Sequence, residues 1–240
     1  MNIALIFAGG TGQRMNSVSI PKQFLKVHNK PIIVHTIEKF QKASCIDSII
    51  VVSLSSYIDE MYKLKEEYGL SKVHSIIPGG DTGQLSIYNG LIEAKKISKT
   101  DEDIVLIHDG VRPMIDETTI LNNIDCVKKN GNAITISKAI ETMVVVDDNG
   151  TVENVLNRNY CSMARAPQSF YLKDIYSAHV QALSNGISNF IDSAMLMKKY
   201  GAKLHTVLGR VNNIKITTPM DFFMFKAILD ANETEQIKVL

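Results

Sequence analysis

The sequence predicts an α/β protein built on a doubly wound, mainly parallel sheet, with a β-hairpin arm projecting from it. Three observations carry this. Short, unalternating apolar runs recur at Ile3–Phe7, Ile49–Val52, Val73–Ile77 and Ile104–Ile107, as strands covered on both faces should read. Segments with helical spacing lie between them, so strand and helix alternate through about residue 135. That rhythm then breaks at about 139–160, where two strand-like stretches flank a turn signal.

In chain order, Ile33, Ile37 and Phe40 share one helix face, as do Ile87, Leu91 and Ala94, then Ile120, Ile124 and Val127. Ala133–Ser137 and Thr142–Val146 read as strands, and Asp147-Asp148-Asn149-Gly150 as a turn leading into Thr151–Leu156. This arm is either an elaboration of the sheet edge or a dimerisation device, and the second is favoured. Helical spacing returns over Leu172–Leu183 and Ser193–Tyr200, then a strand at Leu204–Leu208. A last helix starts at Pro219, where proline behind Thr217 and Thr218 is a good N-terminal signal, and runs to Ala231. One domain over 1–240, with the arm as its appendage, is the expected organisation.

Composition narrows the function. The 240 residues are 45% apolar and 21% charged, an ordinary globular balance. With 26 basic and 25 acidic side chains the net charge is +1, so no nucleic-acid partner is expected. The three cysteines, Cys45, Cys126 and Cys161, form neither a disulfide framework nor a zinc pattern and fit a reducing compartment. No run reaches the roughly 18 apolar residues of a membrane span, and the first residues lack a basic leader. A soluble cytoplasmic protein with no membrane partner is expected.

The strongest chemical feature is Ala8-Gly9-Gly10-Thr11-Gly12-Gln13-Arg14-Met15, directly after the first strand. Loops beyond the carboxyl ends of parallel strands form the ligand crevice, and glycine backbone there can approach an anion closely. Arg14 adds a donor fork suited to phosphate. The loop lacks the Gly-Lys-Ser/Thr ending of a Walker loop, and Met15 stands where a dinucleotide fingerprint needs its third glycine. Lys22, in Pro21-Lys22-Gln23, puts a point charge beside the same mouth. Gly79-Gly80-Asp81 closes the third strand and Ser86 begins the next helix, with Asp81 a possible N-cap. In His108-Asp109-Gly110-Val111-Arg112-Pro113, Asp109 sits where α/β enzymes hold Mg²⁺ through a carboxylate. His108 reads as a core histidine rather than a base, and Arg112 either pairs Asp109 or binds phosphate. Lys215, inside an apolar strand-like Asn213–Thr217, needs a carboxylate or a phosphate as partner.

In this order, AGGTGQRM, PKQFL, GGD with Ser86, HDGVRP, Ala166-Pro167-Gln168 and NIKITTP resemble the CTP-dependent polyol-phosphate cytidylyltransferase family. The resemblance spans about residues 1–230. It implies a nucleotidyltransferase with a glycosyltransferase-A-like sheet that transfers CMP from CTP to a polyol phosphate with Mg²⁺. By the same resemblance Arg14, Lys22 and Lys215 are catalytic. Ala8, Gly9, Gly10, Thr11, Gly12, Gly80, Asp81, Ser86 and Arg112 bind the nucleotide, and Asp109 meets the metal. Asp192 lies near the polyol, while Thr142 and Arg158 on the arm reach across a homodimer to the partner's polyol phosphate. AGGTG, PKQF and NIKITTP look like the ribitol-5-phosphate branch, and the 2-C-methyl-D-erythritol 4-phosphate enzymes are the alternative. Three positions depart from the family's usual pattern: Gly83 where a basic residue is common, Ile191 where threonine is usual, and Asn212 where an acid is frequent.

Overall fold

A computed structural model describes residues 1–10 and 20–233. Its first strand β1 (Asn2–Ala8) is followed by a small hairpin of β2 (Lys26–Val27) and β3 (Lys30–Pro31). Then come α1 (Ile32–Lys42), β4 (Ser48–Ser53), α2 (Ile58–Glu67), β5 (Val73–Pro78), α3 (Gly83–Ile97), β6 (Ile104–Asp109) and α4 (Glu117–Asn130). The second half holds β7 (Asn132–Lys138), β8 (Met143–Val146), β9 (Val152–Leu156), β10 (Ser162–Tyr171), α5 (Leu172–Ser184), α6 (Ser193–Lys199), β11 (Thr206–Leu208) and α7 (Pro219–Glu233).

Seven strands form one sheet in the order β11-β7-β10-β6-β1-β4-β5. All neighbours run parallel except β10, which lies antiparallel to both β6 and β7. The mainly parallel, doubly wound class is therefore observed. Along β1, Ala4 and Ile6 pack with Ile37 and Phe40 of α1 and with Ile120 and Ile124 of α4. Ile3 and Leu5 face the other way, into a second core with Ile87 and Leu91 of α3, Ile175 of α5 and Leu196 of α6. Because both faces are covered, alternate residues of β1 are all apolar, and the run shows no alternation. A third cluster, including Val27, Ile32, Val111, Ile216 and Phe225, seats α7 against the small hairpin.

Four features depart from the sequence reading. The helix α2 buries only Met61 and Leu64 amid charged residues, which is too thin a stripe to see by periodicity. The strand β10 contains Arg165, Pro167 and Gln168 and changes register between Ala164 and Gln168, so it carries no strand-like apolar run. It is held by tertiary pairing, with Phe170 opposite Val105. The strand near residue 204 begins only at Thr206. Finally, Asn213–Thr217 is not a strand: it has no ladder, Ile216 N–H donates to Val111 O at 2.9 Å and Asn213 Nδ2 to Ala166 O at 3.0 Å, and Ile216 is buried while Lys215 turns outward.

The arm forms its own two-stranded sheet, with Met143 paired to Leu156 and Val144 to Val155. Asp147 shapes its turn by accepting from Asn149 N–H at 2.9 Å and Thr151 N–H at 2.7 Å. Both strands expose their apolar residues, Val144, Val146, Val152 and Val155 among them. Among the described residues no helix is long and apolar enough to cross a membrane.

Candidate active site

The carboxyl ends of β1, β4, β5 and β6 share one edge of the sheet, because these strands run parallel and in register. The glycine loop therefore leaves β1 beside the Gly79-Gly80 turn and the His108–Arg112 loop. Thr11, Gly12 and Arg14 lie outside the described residues. The loop's first part is braced from below by Gln23, whose Nε2 donates to Ala8 O at 2.7 Å and Gly10 O at 3.2 Å. At 1% exposure, Gln23 satisfies two carbonyls that the turn would otherwise leave unpaired. Lys22, one residue earlier on the same short 3-10 turn, Lys22–Phe24, lines the cleft above the loop.

The Gly79–Thr82 turn is closed by Ser86, whose Oγ accepts from Gly80 N–H at 3.1 Å and donates to Thr82 O at 2.9 Å. A side chain at Gly80 would put its Cβ 2.5 Å from Leu85 Cβ, so only glycine lets this turn lie against α3. The helix cap is Thr82 rather than Asp81: Thr82 Oγ1 accepts from Leu85 N–H at 3.1 Å. Asp81 is left exposed on the cleft wall, and Ser86 Oγ is committed to the turn's own backbone.

Asp109 ends β6 between two cations. Arg112 Nε donates to its Oδ2 at 2.7 Å, and Lys215 Nζ lies 2.6 Å from its Oδ1. Burial would raise the Asp109 pKa, but the charges of Lys215 and Arg112 override it and hold the carboxyl well below its usual range. Arg112 also donates to Asn213 O at 2.9 Å, which ties the Lys215 segment to this loop. At 7% exposure Arg112 is a buried brace. Lys215 has found the carboxylate its sequence context called for, yet its side chain stays 42% exposed and open to a ligand. His108 is fully buried against Phe40, and burial pushes its pKa down to about 4. It bonds Arg112 O at 3.0 Å, which fits a core role. Gly110 follows because a Cβ there would meet Ile33 Cδ1 at 2.5 Å and Ala8 Cβ at 2.9 Å.

Two clefts meet at this pair. One, about 600 Å³, is lined by Ala8, Gly9, Gly10, Lys22, Asp81 and Ser86, together with Gly80. The other, about 330 Å³, is lined by Arg165, Gln168, His179, Phe190, Ile191 and Asp192, with Arg112. Phe7, Gly83, Asp109 and Lys215 belong to both walls. Of the two roles the sequence offered Arg112, the pairing with Asp109 is the one seen, and the residue lines the second cleft.

The second cleft is shaped by amides whose roles were not legible in the sequence. Gln168 donates to Asp192 Oδ2 at 3.0 Å and accepts from Ala194 N–H at 2.9 Å. Asp192 itself caps α6 through Met195 N–H at 2.8 Å. Gln84 holds the 187–190 loop by donating to Ile187 O and accepting from Phe190 N–H. Arg165, also missed, has Nε fixed on Ser137 Oγ at 3.0 Å and no carboxylate partner among the described residues. A basic residue directly before Ala166-Pro167-Gln168 was the available signal. The cleft carries three cations, Arg112, Arg165 and Lys215, against two carboxylates, Asp109 and Asp192. Thr142 and Arg158 are exposed on and beside the arm and line neither cleft of their own chain; Arg158 Nη1 contacts only Ile140 O, at 3.3 Å.

Among the described residues no group of three or more His, Cys, Asp or Glu side chains could cage a metal ion. Among the described residues Asp109 is the carboxylate common to both clefts, ionised and with unused lone pairs. That fits Mg²⁺, which binds through one or two carboxylates plus substrate phosphates rather than a protein cage.

Comparison with known proteins identifies the family. The family model described as IspD, 2-C-methyl-D-erythritol 4-phosphate cytidylyltransferase, matches residues 2–231. The chain is 52% identical over 237 residues to a ribitol-5-phosphate cytidylyltransferase of Streptococcus agalactiae serotype V, covering 99% of this chain and 98% of that protein. To a 2-C-methyl-D-erythritol 4-phosphate cytidylyltransferase of Clostridium botulinum it is 37% identical, over 95% and 97% of the two chains. The crystal structure of 4-diphosphocytidyl-2C-methyl-D-erythritol synthase from Anaerococcus prevotii superposes with a TM-score of 0.81 at 29% identity, covering 95% of this chain and 96% of that one.

Proposed function

Because the chain belongs to the IspD family of cytidylyltransferases, we propose that it transfers CMP from CTP to D-ribitol 5-phosphate, giving CDP-ribitol and pyrophosphate. The observation that carries this is the Asp109–Lys215 pair on the wall common to two clefts, where two phosphate-bearing substrates can meet. CTP takes the larger cleft, its triphosphate over the glycine loop and Lys22 and its base toward Gly80 and Asp81. The polyol phosphate takes the smaller one, beside Arg165 and Asp192. The 52% identity to a ribitol-5-phosphate enzyme favours ribitol over methylerythritol as the acceptor.

In the reaction an oxygen of the acceptor's phosphate attacks the α-phosphorus of CTP. A new P–O bond forms, the bond to the bridging oxygen of the β-phosphate breaks, and pyrophosphate leaves with that electron pair. The nucleophile needs no general base, since a phosphate monoester with a second pKa near ~6 is already largely a dianion at neutral pH. The obstacle is repulsion between two polyanions. Lys22 and Lys215 supply fixed positive charge at the point of attack, and Asp109, clamped by Arg112, keeps Lys215 in place. Mg²⁺ held by Asp109 and the triphosphate oxygens would neutralise phosphate charge. Arg165 adds charge for the acceptor's phosphate.

Two copies are proposed to pair through the arm, whose exposed valines await a cover and whose Arg158 would then serve the partner's acceptor cleft. The test is pyrophosphate release from CTP across a panel of polyol phosphates, with Mg²⁺ and with EDTA. Turnover with ribitol 5-phosphate well above all other acceptors, abolished by EDTA, is expected. Preference for 2-C-methyl-D-erythritol 4-phosphate would replace the ribitol assignment, and turnover undiminished by EDTA would remove the metal.

A further inference from the structure

The acceptor cleft is lined by a buried histidine to which no role has yet been given. His179 lies on the buried face of α5 with Leu172, Ile175, Ala178 and Ala182. It is 1% exposed, and neither ring nitrogen has a hydrogen-bond partner. Its ring lies nearly parallel to that of Tyr88, with centroids 5.9 Å apart and planes at 11°, so the orientation is fixed by packing.

Burial pushes its pKa down to about 4, which leaves the imidazole neutral near pH 7, with one donor and one acceptor nitrogen. Both are bare, although buried polar groups are almost always paired. No group among the described residues partners either nitrogen, and Ile87, Ile107, Phe190 and Leu196 on the same cleft wall are apolar. The amides of Gln84 and Gln168 are turned to backbone and to Asp192. A group entering the cleft that His179 lines would supply the missing partner. A hydroxyl, itself donor and acceptor, matches a neutral imidazole better than a phosphate does.

We propose that His179 reads a hydroxyl of the polyol chain and so selects the acceptor, a specificity-determining role that rests on the acceptor assignment above. His179 takes no part in the phosphoryl transfer. It accepts from, or donates to, a hydroxyl remote from the reacting phosphate, and an acceptor lacking that hydroxyl leaves the ring unpaired.

The test compares wild type, His179→Leu and His179→Gln on ribitol 5-phosphate and on its singly deoxygenated analogues. For His179→Leu, the KM for ribitol 5-phosphate should rise about tenfold or more, with the KM for CTP unchanged. One deoxy analogue should be disfavoured by the wild type and no longer disfavoured by the leucine variant, a coupling that a merely structural residue would not produce. His179→Gln, which keeps a donor and an acceptor, should restore part of the discrimination. Thermal melting of His179→Leu should be no lower than wild type, since an unpaired polar group has been removed. A leucine variant with unchanged acceptor KM and the wild-type ranking of deoxy analogues overturns the proposal. If the wild type itself releases no pyrophosphate with any polyol phosphate, the functional reading fails instead, and the His179 assignment falls with it.

Discussion

Lys215 Nζ and Arg112 Nε approach the two oxygens of one carboxylate, Asp109, at 2.6 and 2.7 Å. The two cations are not equivalent. Arg112 is buried and bound again to Asn213 O, so its charge is committed to holding the loop. Lys215 keeps nearly half of its side chain in the open, where it can meet a phosphate while Asp109 fixes its position. A lysine suits this place, as a compact point charge with three rotatable donors.

Lys215→Ala and Lys22→Ala should each lower kcat by a hundredfold or more, about 3–4 kcal/mol of lost transition-state stabilisation. Circular dichroism should show the fold retained in both, because the arginine clamp on Asp109 remains. Near-normal turnover in both variants would remove these lysines from the transition state.

Gln23→Leu should act on the nucleotide side alone. Two carbonyls, of Ala8 and Gly10, lose their donor, at a cost of about 1–3 kcal/mol in stability. The loop loosens and the KM for CTP rises, while the KM for the acceptor stays put. Denaturant melts and paired KM measurements read both effects, and an acceptor-side KM change as large as that for CTP would show the brace does something else.

Arg158→Ala should raise the KM for the polyol phosphate far more than that for CTP. If the arm serves the partner subunit, mixing Arg158→Ala with Lys215→Ala protein should, at low acceptor concentration, give more activity than the two variants give separately. Each mixed dimer would then contain one site with both side chains intact. No recovery on mixing would place Arg158 outside the partner's site.

Acid should expose His179. Burial holds its pKa at about 4, below the ordinary value of 6.5, so the unfolded chain binds more protons between those limits. Above pH 6.5 this ionisation costs the folded state nothing, and stability is lost progressively as pH falls from there toward 4. Between pH 7 and 5 this amounts to about 2 kcal/mol. His179→Leu should therefore flatten the pH dependence of unfolding free energy by that amount, measured by urea titration, and an unchanged slope would mean the ring is not held neutral by burial.

Where apolar residues follow the period of their element, the sequence already contained the structure. Ile3–Phe7 and Ile104–Ile107 became the paired centre of the sheet, and Ile33, Ile37 and Phe40 are wholly buried on α1. The motifs at strand ends were equally plain, since Ala8–Gly10, Gly80 and Asp109 arrive at one sheet edge as the parallel topology requires. Elements held by few apolar contacts were harder to see. The helix α2 shows too little buried surface to mark its period, and β10 is specified by the strands on either side of it.

What the sequence determined by itself is the doubly wound sheet and the set of glycine, aspartate and lysine motifs at its rim, because backbone periodicity and turn chemistry are local. Only the tertiary structure decided which groups meet. It joined Lys215 to Asp109 across more than a hundred residues, turned Gln23 under the glycine loop and buried both nitrogens of His179 without a partner beside the second cleft. Pairing and burial depend on what the rest of the chain brings within a few ångströms, and no local pattern carries that distance.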